Sequence, residues 1–504
     1  MKLDFAMEPN DDERQQHLQN RRKSKDRLSG SLYKDGIVGQ FLSNKNNLSL
    51  TVNTDGAKKH KSAHQSAWPI FVTVDQIPSE CQTPILVGLW YGRSAPNMHT
   101  FFKPVTEELN SLYENGITWS HGANKNITTK FVTSCFTSDI PARAKVLNFI
   151  GHMGHFSCLF CTNPGELVDV GKGNKTCKQI RYPEREKTFE LRSSEQYFQD
   201  IELAVLHGET VRGIKGSNPL IEIHLFRIPY NIAIDLLHNV CNGEVKAFVN
   251  AVTSNVGEPF YIGAPQTIKL VSERLSSIKP VSSIPRLARP LEDRHFFSAK
   301  EWLHFLLFFG PISLQGILPE IYLEMLCEFS QAIYLLISDD MKSSDIDEAE
   351  ETILKYVINC SNNFGPRYCV SNNHLLLHLA DDARKFGSLL NHSTFEFESA
   401  NGWLLKFIKS SKGVIQQAIK NYLLNVNLNF FLRTNQITIS PKVTLYAQSL
   451  STGRRRQNAH CSRNVTVLGK GVLYKVPLSI EELVPLQYKG KENYLVFERM
   501  NVKG

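Results

Sequence analysis

The sequence predicts an α/β fold: a mixed sheet carrying a large, mainly helical insertion, followed by a small β-rich carboxyl-terminal module. Three observations lead there. Strand-like segments crowd residues 46–139 around one helical segment; from about 190 to 390 the apolar spacing is mainly helical; and short strand-like runs return beyond about 435.

Taken in order, residues 1–45 are polar and basic with little periodicity, which predicts a flexible arm. LSLTVNTD then alternates apolar and polar positions, WPIFVTV follows a charged turn, and TPILVGLWYG follows a breaker at Pro78 and Ser79, giving three strands. FFKPVTEELNSLYENG sets Phe102, Val105, Leu109 and Leu112 at helical spacing and stops on Gly116. NITTKFVTSCFTSD returns as a fourth strand running into Asp139, and IPARAKVLNFIGHMG reads as a helix with Pro141 in its first turn. Farther on, Trp302–Phe309 predicts a short core helix ended by Gly310 and Pro311. Tyr322, Leu326, Phe329, Ile333 and Leu336 form one apolar stripe, and Ser344 with Asp347 suggests a capping box. A last helix, from about 396 to 410, turns Phe397, Leu404 and Ile408 inward and carries Glu396 and Glu398 near its start. VTLY, NVTVLGKGVLYKV and NYLVFER supply the terminal strands. The units are then 1–45, a sheet core over 46–165, the insertion over 166–390, a closing helix over 391–425 and the module over 426–504.

Apolar residues make up 42% of the 504 and charged residues 21%, the balance of a chain that folds around a core. The start lacks a secretory apolar run, and no stretch reaches the roughly 18 uncharged apolar residues that span a bilayer, so a soluble, intracellular protein without a membrane partner is expected. The ten cysteines then suggest metal ligands or buried thiols rather than a disulfide framework. Net charge is only +8, but it is clustered: Arg21, Arg22, Lys23, Lys25 and Arg27; Lys58, Lys59, His60 and Lys61; Arg454, Arg455 and Arg456. Such runs suit contact with DNA phosphates, or else form solvated loops.

Three strands, a helix and a fourth strand, with acids after the first and fourth strands and a third acid on a late helix, is the ribonuclease-H-like order. The acids are Asp55, Asp139 and Glu398, with Glu396 the rival for third place. Carboxylates suit Mg²⁺, a hard ion, and two such ions can stabilise both the attacking and leaving oxygens of an in-line phosphoryl displacement. Asp55-Gly56 also reads as a simple turn. Cys158-x-x-Cys161 is half of a zinc site. The other half is either His374 and His378, four apart and so on one helical face, or His152 and His155 close by in GHMGHFSC. The distant pair would tie the segment after the second acid to the segment before the third. Asp235-x-x-His238 reads either as a site element or as a buried hydrogen bond within a helix.

TDG with SAWPIFVTVDQIP, ILVGLWYGRSAPNMHTFFKPVTEELNSL, SDIPARAKVLNFIGHMGHFSCLFCTNPG, GIKGSNPL, IAIDLLHNVCNGEVK, GILPEIYLEMLCEFSQAIYLL, NNHLLLHL and FEFESANGWLLKFI together resemble transposases of the CACTA (En/Spm-like) group, over roughly residues 46–425. The distant zinc arrangement is similar to the core of the V(D)J recombinase catalytic subunit. The resemblance implies a DDE-type DNA transposase with Asp55, Asp139 and Glu398 as catalytic acids holding two Mg²⁺ or Mn²⁺ ions. It also implies a structural Zn²⁺, Asp235 and His238 near the centre, transposon-end and target DNA as partners, a homodimer or higher oligomer on DNA, and a nuclear location. Ala57 and a basic run follow Gly56 where related sequences carry a bulky residue and Pro, and the amino-terminal region is short. A catalytically silent descendant serving as a DNA- or protein-binding scaffold is the alternative, and a plain metal-dependent nuclease a third reading.

Overall fold

A computed structural model of the chain describes residues 30–434, apart from 59–63, 78–82, 122–123, 172–175, 186–188, 281–283 and 285–286, together with strands between 458 and 502. Two units emerge, Met1–Ile415 and Gln416–Gly504.

The first unit is built on strands β1 (Leu48–Thr54), β2 (Ser66–Val74), β3 (Ile85–Gly92), β6 (Phe131–Thr137) and β9 (Ile232–Ala233), in the order β3-β2-β1-β6-β9. β1 pairs antiparallel with β2 but parallel with β6, and β6 pairs parallel with β9. This is the ribonuclease-H-like mixed sheet. β1 and β2 are buried along nearly their whole length, as central strands covered on both faces are.

The fourth predicted strand divides in two. Residues 124–129 form β5 (Asn124–Thr129), which pairs with β4 (Ile117–His121) as a separate hairpin, and only Phe131–Thr137 joins the main sheet. Asp139 lies beyond that strand, as the cap of the following helix. Two short helices, α1 (Ser31–Lys34) and α2 (Gly36–Leu42), occupy part of the predicted arm. Leu32, Tyr33 and Val38 are buried there with Val132, Cys135, Ala233 and Phe386, so this stretch covers one face of the sheet.

Helix α3 (Met98–Glu114) starts where Asn97 accepts the Thr100 N–H at 3.1 Å, earlier than the apolar spacing indicated. Helix α4 (Ile140–Val146) is shorter than predicted, because Asn148 takes φ +47°, a left-handed conformation that ends a helix. β7 (Glu166–Asp169) and β8 (Lys178–Arg181) form a second hairpin, and α5 (Ser194–His207) follows.

Apart from the β7–β8 hairpin and β9, which belongs to the main sheet, the insertion's described elements are helical. A π helix, Leu237–Val245, runs into α6 (Lys246–Ser254), followed by α7 (Pro265–Ser277). The apolar window at 302–309 does not stop at Gly310. Helix α8 (Ala299–His304) passes through a π stretch, Phe305–Phe309, into α9 (Gly310–Leu314). There the Gly310 N–H bonds to the Phe305 carbonyl, five residues back, a wider turn than the α-helical one. α10 (Glu320–Leu336) buries its whole predicted stripe. α11 (Ser343–Asn363) is capped by Asp345, which accepts the Lys342 N–H at 2.9 Å, while Asp347 instead meets Arg384 at 2.6 Å. α12 (Ser371–Leu375), the 3₁₀ turn Leu376–His378 and α13 (Leu379–Phe386) lead to α14 (Phe395–Lys406) and α15 (Val414–Thr434). One continuous core joins sheet and insertion. No described helix is long and apolar enough to cross a membrane.

In the second unit, β10 (Asn458–Ser462), β11 (Val465–Leu468) and β14 (Arg499–Val502) form one small sheet, and β12 (Val472–Tyr474) and β13 (Tyr494–Val496) another.

Candidate active site and metal centre

Three neighbouring parallel strands end at the same edge of the sheet. Asn53 in β1 is in register with Thr137 in β6, and Thr137 with Ala233 in β9. The Asn53 amide donates to the Thr137 carbonyl at 2.8 Å, locking that edge. Just beyond it stand Asp55, Asp139 and Asp235. Each follows a buried strand end, so sheet geometry alone groups the backbones of residues far apart in sequence.

Each aspartate is held differently. Asp55 accepts the Gly56 N–H at 2.5 Å. Asp139 caps α4, accepting the Ala142 N–H at 2.6 Å. Asp235 is the most heavily bonded: it accepts the backbone N–H groups of Leu237, His238 and Thr394 and the Thr394 hydroxyl, and lies 2.5 Å from His238 Nδ1. It sits just before the helix that carries His238, at its amino-terminal end, rather than inside an amphipathic helix. Through Thr394 it also fixes the start of α14, and the Thr137 hydroxyl binds the nearby His392 carbonyl at 2.9 Å. Those bonds bring Glu398, in the first turn of α14, to the sheet edge.

At this edge Asp55, His238 and Glu398 form a group whose ligand atoms lie within 4.8 Å of one another. His238 Nε2 is 3.8 Å from Glu398 Oε1. Glu398 rather than Glu396 therefore joins this group. Asp139 lies outside it, although its charge acts on both carboxylates. Burial, then the charges of Asp139 and Glu398, push the Asp55 carboxyl up to about 7. Burial also raises Glu398, against the pull of His238 and Asp55. Burial disfavours a charged ring at His238, but the bond and charge of Asp235, with the charges of Asp139 and Glu398, together outweigh it and raise the imidazole to about 9. Burial likewise opposes a charged Asp235, yet His238 and Thr394 hold it below the ordinary carboxylate range. Crowded oxygen donors that resist ionising together fit a hard divalent cation, whose charge would offset their repulsion.

The second group is made of Cys158, Cys161, His374 and His378, all buried, with ligand atoms within 4.8 Å of one another. Cys158 Sγ is 3.4 Å from His378 Nε2 and Cys161 Sγ is 3.2 Å from His374 Nε2. Two cysteine sulfurs and two imidazoles at this spacing could hold a metal ion, and they are the donor types of a structural zinc site. His374 Nδ1 meets Glu184 Oε1 at 3.0 Å, the outer carboxylate that fixes a ligating imidazole. Asn163 donates to the same oxygen at 2.9 Å, and Tyr182, Phe160 and Phe189 pack around the rings. Arg192 steadies the cysteine turn by donating to the Cys158 and Cys161 carbonyls. His152 and His155 are exposed, and His155 Nδ1 lies 3.0 Å from the Pro164 carbonyl oxygen, so the local alternative is not assembled.

Lys58 is exposed beside Asp55 in sequence. Arg21, Arg22, Lys23, Lys25, Arg27, Lys59, His60, Lys61, Arg454, Arg455 and Arg456 lie outside the described residues. Glu184 and Thr394 had no signal in the sequence: neither stands at a fixed spacing from the group it supports.

Residues 32–199 match the model of the transposase family tnp2. The matched stretch contains Asp55, Asp139, Cys158 and Cys161, so this part of the chain is similar to that transposase family. No curated protein matches the chain.

Proposed function

We propose that the chain is a DDE-type DNA transposase, of the CACTA kind that its sequence resembles, cleaving DNA and joining strands with divalent metal. The observation that carries this reading is the meeting of Asp55 and Glu398 at the edge where Asp139 and Asp235 also end or follow strands. Asp55, Asp139 and Glu398 would hold two Mg²⁺ or Mn²⁺ ions. The chemistry such ions would supply is stabilisation of the attacking and leaving oxygens in an in-line displacement at phosphorus, with water and then a DNA 3′-hydroxyl as nucleophile.

The chain's own groups prepare that centre. Asp235 orients His238 through Nδ1, and His238 Nε2 in turn sets the Glu398 carboxylate. The Asp235 bonds to Thr394 hold the start of α14, the helix that carries Glu398. Cys158, Cys161, His374 and His378 would bind one structural zinc, because thiolate and imidazole donors select it over the hard catalytic ion. The basic segments would contact phosphates of transposon ends and target, on DNA held by at least a dimer, in the nucleus.

The test is Mg²⁺- or Mn²⁺-dependent cutting of end-containing DNA by the full chain. Asp55→Asn, Asp139→Asn and Glu398→Gln should each abolish cutting while DNA binding and zinc content stay near wild type. Wild-type protein that binds DNA but never cuts it in either metal would favour the silent-scaffold reading. Full activity in Asp139→Asn would remove Asp139 from the catalytic set.

A further inference from the structure

Away from both clusters, Glu244 is fully buried near the end of the π helix. Its Oε1 accepts the hydroxyls of Tyr356 and Tyr368, each at 2.8 Å, and the Asn373 amide at 3.1 Å, with the Cys360 thiol 3.9 Å away. These donors come from α11, from the loop that follows it and from α12. Among the described residues Oε2 has no partner, and neither do the Asn373 amide oxygen and both amide atoms of Asn239, five residues before Glu244 in the π helix.

A lone ionised carboxylate is costly in such surroundings, and burial raises the Glu244 carboxyl. The neutral acid suits the site, where one oxygen accepts three donors and the other meets none. Tyr356, Tyr368, Cys360 and Cys369 are the titratable groups that act on it, and burial keeps each of them in its neutral form as well. Close approach of the two helices is independently visible at Gly243, where a Cβ would fall 2.5 Å from Asn372 Nδ2.

The two helices carry different machinery. His238 is in the first turn of the π helix, and Asn373 directly precedes His374. We infer that Glu244 is a positioning residue that clamps the His238 helix to the helix bearing His374, so that the Cys/His site and the carboxylate centre keep a fixed relation. This rests on the readings of those two sites proposed above.

The experiment compares full-length wild type with Glu244→Gln, Glu244→Met and the Tyr356→Phe/Tyr368→Phe pair. It reads zinc release to a chelator and the His238 titration midpoint by NMR. Glu244→Gln keeps an acceptor for the tyrosines and should match wild type in both. Glu244→Met and the double tyrosine variant should release zinc about tenfold faster and lower the His238 midpoint. If Glu244→Met does not fold, the tyrosine pair carries the comparison. Zinc-bound wild type with unchanged release and titration in the variants, or Glu244→Gln as impaired as Glu244→Met, overturns the clamp alone. Wild type that binds no zinc overturns the metal reading and the clamp together.

Discussion

His238 Nδ1 lies 2.5 Å from Asp235 Oδ2, and the same carboxylate binds both the backbone N–H and the hydroxyl of Thr394. One buried aspartate thereby joins the helix that carries His238 to the helix that carries Glu398.

If that joint presents Glu398, the Thr394 hydroxyl contributes to cutting without touching DNA. Thr394→Val removes a bond to a charged acceptor worth about 1.5–3 kcal/mol. DNA cutting should fall by about tenfold or more, with Thr394→Ser restoring most of it. Equal rates in Thr394→Val and wild type would show that Glu398 is placed by other contacts.

Asp55 gives a pH dependence of defined sign. Its carboxyl is raised from 3.8 to about 7, so the folded chain holds that proton more tightly than the unfolded chain. The stabilisation is complete below the unfolded value and is lost as pH rises through about 7. In chelator, Asp55→Asn should therefore have the higher Tm above about pH 7, and a flatter Tm profile between about pH 4 and about pH 7. Added Mg²⁺ should raise the wild-type Tm more at the alkaline end, because binding requires the ionised carboxylate. Identical profiles for the two proteins, measured by scanning calorimetry, would contradict this.

Metal analysis of purified protein should find close to one zinc per chain. Cys158→Ser or His378→Ala should lose it, His152→Ala/His155→Ala should keep it, and Glu184→Ala should weaken it by about 10–100-fold. Loss of zinc in the His152/His155 variant would return the site to the local pair.

Asp200 is wholly buried between Arg192 and Arg212, with Arg192 Nη1 at 3.1 Å. Asp200→Ala would leave the buried Arg192 without its ion partner, a change that costs about 3–5 kcal/mol. Since Arg192 also holds the cysteine turn, chemical denaturation should show that loss together with faster zinc release. A stability change below about 1 kcal/mol would mean that water compensates Arg192 fully.

Much of this was already written in the sequence, and the physical reason is locality. Strand and helix periodicities reach only a few residues, so β1, β2, β3 and the stripe of α10 could be read directly from apolar spacing. Cys158-x-x-Cys161 and the four-residue step from His374 to His378 likewise mark each pair as side chains that can face one ion. Where local signals competed, the reading failed. Residues 126–139 looked like one strand but divide between a hairpin and the main sheet, and Asn148 ends α4 by its backbone conformation rather than by its hydrophobicity. Tertiary structure alone decided the choices between distant partners: His374 and His378 over His152 and His155, Glu398 over Glu396, and His238 in the tight group from which Asp139 is absent. Those choices depend on where parallel strand ends and buried polar bonds bring remote backbones together. No spacing along the chain records that Thr394 binds Asp235 or that Glu244 binds Asn373.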